Sequence, residues 1–172
     1  MLKLMGAVMI FGSCAALGLT ARQSLRRRVA AADSMLLALS LIVSEIPCRR
    51  TPLPEIIAEL AENENAAVRL LFAGLQRRLR EQNGLSLSYL WRSNLRDNRT
   101  ALGMGVSECD ILCEAANYLG RYDASEQADG LRQVSRRLSA ARAAAAEELQ
   151  NKGNLYRTCG IALGILVILV LI

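Results

Sequence analysis

The sequence predicts an all-α protein: an antiparallel bundle of about six helices, flanked by N- and C-terminal membrane helices. Three observations carry this reading. Hydrophobic residues make up 52% of the chain but aromatics only 4%, and 30 Leu and 25 Ala supply most of the apolar side chains. Both are strong helix formers, and only three Pro interrupt them. Mean hydropathy is +0.23 although 22% of residues are charged, so the apolar excess has to be concentrated somewhere. It lies at the ends: Leu4 to Ala21 and Thr158 to Ile172 carry no charge, and all 16 acidic residues fall between Asp33 and Glu148. A length of 172 residues suits one domain plus anchors and argues against a multidomain enzyme. The expected organisation is an anchor over 1–21, a cytoplasmic helical bundle over 22–154 and a second anchor over 155–172.

Leu2 to Ala21 has about the 20 residues that a helix needs to cross a hydrocarbon core of about 30 Å. A cleaved signal peptide is the competing reading, and Phe11-Gly12-Ser13-Cys14 loosely resembles a lipoprotein cleavage box. The apolar run continues past Cys14 through Leu19, which favours a retained anchor. Leu155 to Ile172 is aliphatic from Ile165 onward and, with the stem of Arg157 reaching outward, is just long enough to span. Arg22, Arg26, Arg27 and Arg28 follow the first segment, and Lys152 and Arg157 attend the second. Lys3 alone argues the other way, so the positive-inside rule places the bundle in the cytoplasm, with the Arg cluster beside anionic membrane lipid.

Between the anchors, Leu36, Leu39, Val43 and Ile46 recur at helical spacing and predict a first helix from about Leu25 to Ile46, ended by Pro47. Thr51 as N-cap with Pro52 in the first turn opens a second helix to about Glu62, burying Leu53, Ile56, Ile57 and Leu60. After a polar link, a third over about Ala66 to Gln82 buries Val68, Leu71, Phe72, Leu75 and Leu79. Asn83-Gly84 stops it. A fourth, from about Ser86 to Arg99, carries Leu87, Leu90, Leu95 and the sole Trp, Trp91, expected at the bundle edge. Ser107 with Asp110 reads as a capping box for a fifth helix that ends at Leu119-Gly120. Asp123 with Glu126 opens the sixth, Ala124 to about Asn151, with Leu131, Val134, Leu138, Ala141, Ala145 and Leu149 as its buried stripe and Gly153 as a place for a bend. Short links of this kind join antiparallel neighbours.

The chain offers little catalytic chemistry, and no enzyme activity is expected. It has no His, and therefore no side chain whose ordinary pKa suits general base work near neutral pH. It has no phosphate-binding loop motif, no catalytic residue constellation and no metal-ligand spacing, so no cofactor is expected. Of the five cysteines, Cys14 and Cys159 lie in the apolar ends, Cys48 in a link, and Cys109 and Cys113 four apart on one helical face. They read as helix-packing residues in a reducing compartment. Basic clusters at Arg77 to Arg80, Arg92 to Arg99 and Arg136-Arg137 are interleaved with acids and lack a stacking aromatic platform. That excludes nucleic acid in favour of a solvated helix face or an acidic protein partner.

Met-Leu-Lys-Leu-Met-Gly at the start, Ser44-Glu45-Ile46, then Thr51-Pro52-Leu53-Pro54-Glu55, then Leu119-Gly120 with Asp123 and Gln127, and finally Leu155-Tyr156-Arg157 with Gly160 together resemble the stage III sporulation protein AB family. The resemblance runs in order along nearly the whole chain. It implies a component of the secretion-like complex between mother cell and forespore, with the bundle in the mother cell. It also implies a soluble region similar to the cytoplasmic domain of type II secretion and type IV pilus inner-membrane platform proteins. The implied partners are a cytoplasmic secretion ATPase, like stage III sporulation protein AA, and other membrane components of the sporulation channel. Candidate partner-contact residues are Thr51, Pro52, Pro54, Glu55, Gly120, Asp123 and Gln127 from the resemblance, and Arg136 and Arg137 from the basic clusters. The competing function is a membrane-anchored helical signalling or regulatory module unrelated to secretion. The oligomeric state is left open by the sequence.

Overall fold

The computed structural model describes residues 2–49, 52–81, 84–120 and 123–171, with side chains over 20, 22–46, 52–81, 84–120 and 123–151. Every regular element among them is helical: α1 (Leu2–Arg49), α2 (Leu53–Ala61), α3 (Ala66–Glu81), α4 (Leu87–Leu102), α5 (Val106–Glu114), a 3₁₀ turn (Ala115–Asn117) and α6 (Ala124–Leu171). The all-α class is as the sequence predicts. The expected end segments are not separate helices, however: α1 and α6 are each 48 residues long and contain them. Thr20 to Ser24 contains neither Gly nor Pro, and a single Gly such as Gly153 costs about 1 kcal/mol, too little to break a long helix. α1 also runs past Pro47 to Arg49; a proline removes one backbone donor and can kink a helix without ending it.

The chain forms two compact units, one of Met1–Arg27 with Ala144–Ile172 and one of Arg28–Ala143. In the second, one face of α1 (Ala31, Ala32, Met35, Leu39, Ile42, Ile46) belongs to a core shared with Ile56, Ile57 and Leu60 of α2, Val68, Leu71, Phe72 and Leu75 of α3, and Leu90, Trp91 and Leu95 of α4. Leu112 of α5 and Leu131, Val134 and Leu138 of α6 complete it. Leu71, Leu75, Leu95, Leu131 and Leu138 are fully buried, each contributing about 1.5–3 kcal/mol of transfer free energy. Arg22–Ile46 is long and apolar enough to cross a membrane, but its buried residues line this core, as those of a central bundle helix do. Apart from the exposed Thr20, the side chains of the expected anchors lie outside the described residues.

The starts of α2 and α5 differ from expectation, while α3 starts at the expected Ala66. Pro52, not Thr51, is the N-cap of α2, its carbonyl accepting from the Glu55 amide at 2.9 Å; Thr51 lies outside the described residues. Asn65 caps α3, its Oδ1 accepting from the amides of Ala67 at 3.0 Å and Val68 at 3.3 Å, while its Nδ2 donates to Ser34 of α1 at 2.9 Å. α5 starts two residues early at Val106 with Gly105 as N-cap, so Ser107 is an exposed first-turn residue and does not cap. α4 begins close to the expected Ser86, which caps it, and runs three residues past Arg99, to a left-handed Gly103 at φ 73°. α5 gives way to the 3₁₀ turn after Glu114, before the expected Leu119.

Trp91 is not at an edge. It is 1% exposed, meets Phe72 edge-on with ring centroids 5.7 Å apart, and donates from Nε1 to the Leu112 carbonyl at 2.8 Å. Ser88, one turn earlier on α4, donates to the Ala116 carbonyl at 2.6 Å, and Arg92 reaches the Cys113 carbonyl at 3.4 Å. The Leu112 and Cys113 carbonyls also accept from the Ala115 amide, and three side chains on one face of α4 add donors across the end of α5 and the 3₁₀ turn.

Candidate functional site

The candidate residues occupy three places. Pro52, Pro54 and Glu55 are exposed at the start of α2, which packs on α3. Gly120, with φ 73°, lies against Leu87 at the start of α4; Asp123 is exposed, accepting from the Ser125 hydroxyl at 2.9 Å and, through its carbonyl, from the Gln127 amide at 2.9 Å. Arg136 and Arg137 are exposed on α6, and Arg137 donates to the Glu114 carboxylate of α5. No described contact joins the three. Gln127 is 7% exposed and so is poorly placed to meet a partner.

The charge of the bundle is concentrated elsewhere. Residues 66–102, the α3–α4 hairpin, carry seven Arg against Glu81 and Asp97, a net of +5 that equals the formal charge of the whole chain. Along the outer side of α3, Ala66, Leu70, Ala73 and Gly74 form the apolar floor of a shallow groove of about 610 Å³, with Arg69 and Arg77 on it and Asn98 of α4 at its side. Leu70 is 41% exposed. Asp97 pairs with Arg78 at 2.7 Å, while Arg69 and Arg77 have no ion pair among the described residues. Gly74 lets the helices come close: a Cβ there would lie 2.6 Å from Asn94 Oδ1. Asn94, itself buried, donates to the Leu71 carbonyl at 2.7 Å.

α2 has the opposite character. Residues 52–65 hold Glu55, Glu59, Glu62 and Glu64 and no basic residue. All four are exposed, and none has an ion pair among the described residues. Glu55, Glu59 and Glu62 follow a four- and three-residue spacing, which sets them on one helical face. The sequence contained this signal, in the outward apolar residues Ala66, Leu70 and Ala73 at helical spacing and in the acidic run, but the core-facing pattern of α3 overshadowed it.

Two further clusters are structural. Glu108, 1% exposed, accepts from Arg28 Nη2 at 2.7 Å across Gly105, where a Cβ would fall 2.3 Å from Glu108 Oε2. Cys109 and Cys113 are free, buried thiols; burial first, and then the neighbouring Cys113, pushes Cys109 up to about 11, which makes it a poor nucleophile near neutral pH.

A model of the stage III sporulation protein AB family matches residues 3–172. The chain belongs to this family. Membership gives it a role in sporulation. A solved structure of stage III sporulation protein AB is similar, with a TM-score of 0.65 and 22% identity over 72% of this chain and 97% of that one; at that identity the likeness speaks for the fold. No match was found among curated proteins.

Proposed function

We propose that the protein is a non-enzymatic, membrane-anchored scaffold of a secretion-like complex between mother cell and forespore. It links a cytoplasmic secretion ATPase, like stage III sporulation protein AA, to membrane components of the channel. The observation that carries this reading is membership of the sporulation family along residues 3–172. An all-helical bundle with strongly charged outer faces, whose first and last helices carry uncharged apolar stretches near the chain ends, suits such a linking role. The exposed Arg22, Arg26 and Arg27 support a cytoplasmic bundle next to the membrane.

The test is purification of the full-length protein in mild detergent from sporulating cells, with mass spectrometry of what accompanies it. Recovery of a secretion-type ATPase is expected; its absence, with the protein folded and expressed, would sink the ATPase link. Arg136 and Arg137 are candidate contacts. Reversing Arg137 also breaks its pair with Glu114, so Arg136→Glu is the cleaner probe. It should lower ATPase recovery severalfold without changing thermal unfolding, and unchanged recovery would remove that position.

A further inference from the structure

We propose that the α3 groove is a self-association site, which receives the acidic face of α2 from a second copy of this chain. The two surfaces match in charge, spacing and shape. Arg69 and Arg77 are eight residues apart on one helix, about 12 Å along the axis, and Glu55 and Glu62 are seven apart, about 10.5 Å. A partner α2 laid along α3 brings both carboxylates to both guanidinium groups. The small Ala66, Ala73 and Gly74 of the groove floor allow the helix axes to approach to about 8–10 Å. Leu70 then meets Ala58 and the methylenes of Glu59, which cover the apolar area that a single chain leaves to water.

The chemistry disfavours other occupants. A nucleic acid would use the Arg residues but finds no aromatic side chain in the groove to stack on. A lipid headgroup would satisfy the charges yet leave the acidic stripe of α2 unmatched. Within one chain the two surfaces do not neutralise each other, since neither Glu55, Glu59 and Glu62 nor Arg69 and Arg77 form an ion pair among the described residues. One nine-residue helix in a shallow groove buries less than the roughly 1,000 Å² of a stable free dimer. The association is therefore weak between dilute chains and grows when copies share one surface. It rests on neither the ATPase nor the channel, so the scaffold reading and this contact fail separately.

The test uses the full chain in membranes, with a photo-crosslinking residue in place of Ala66 at the groove end. The expected product has twice the chain's mass, and mass spectrometry places the crosslink in residues 52–65 of the second copy. Arg69→Glu with Arg77→Glu lowers the yield at least tenfold, and so does Glu55→Lys with Glu62→Lys in a separate chain. Co-expressing these two variants restores the crosslink, because the acidic groove of one meets the basic α2 of the other; this also shows that both fold. Arg132→Glu, on the exposed side of α6, leaves the yield unchanged. A crosslink only to lipid or to another protein, no crosslink at all, or a yield indifferent to charge reversal would overturn the proposal.

Discussion

Glu108 shows how a single residue can carry structure that no motif announces. In the sequence it is one of two acids, Glu108 and Asp110, at the start of a helix, a position where carboxylates suit the helix dipole and usually face water. In the fold it is buried and holds Arg28 of α1 across Gly105, so it ties the first helix to the fifth. Removing one partner of such a pair takes a charge-assisted hydrogen bond from the other. Glu108→Gln should therefore destabilise the protein by about 1–3 kcal/mol, the lower part of that range because Arg28 remains partly exposed. Arg28→Met added to it should recover much of the loss; thermal unfolding of the four combinations measures the coupling. Residue-scale roles of this kind were the least legible, because burial of Asn94, Glu108 and Trp91 depends on which backbone groups the fold brings near them, and the helical pattern does not encode that.

At the scale of elements, position and core face were legible while caps and ends were not. The buried stripes of α2 and α3 are the ones that apolar spacing predicts, since a 3.6-residue period leaves little choice of face. The start of α5 went to Gly105 because the close approach of Arg28 and Glu108 needs a residue without Cβ, and no local capping rule contains that requirement. The end of α5 depends on α4, through Ser88, Trp91 and Arg92. Trp91→Phe loses ring volume beside Phe72 and the side-chain donor to the Leu112 carbonyl, which keeps the Ala115 amide; a cost of about 1–3 kcal/mol is expected, with faster hydrogen exchange in α5 than in α2. The thiols of α5 give a pH test. Cys109 ionises near 11 in the folded chain against 9.0 for an ordinary thiol, so its contribution is complete below pH 9. Between pH 9 and about 11 the unfolded chain has already lost the proton that the folded chain keeps, and stability falls. The midpoint of thermal unfolding should drop across that window, and Cys109→Ser should flatten the drop.

At the scale of the whole molecule, composition alone pointed to an all-α chain with apolar ends, and the family match agrees with the resemblance carried by scattered short segments along its length. What composition concealed is that the charge is segregated: +5 on the α3–α4 hairpin and −4 over residues 52–65. A net charge sums over such opposites, so it cannot report a molecule that is complementary to itself. Orientation is the remaining whole-molecule property, and the proposed cytoplasmic side rests on the basic residues beside the first apolar segment. Arg28 is engaged with Glu108, which leaves Arg22, Arg26 and Arg27 as the exposed cations following the first apolar segment. Three such charges against Lys3 still favour retention of the bundle on the cytoplasmic side. Trypsin added outside intact protoplasts should then leave the chain uncut despite exposed arginines such as Arg69, Arg77 and Arg136. Once detergent opens the membrane, cleavage at these sites should follow. Cutting at them in sealed protoplasts would place the bundle on the opposite face and remove the cytoplasmic ATPase as a direct partner.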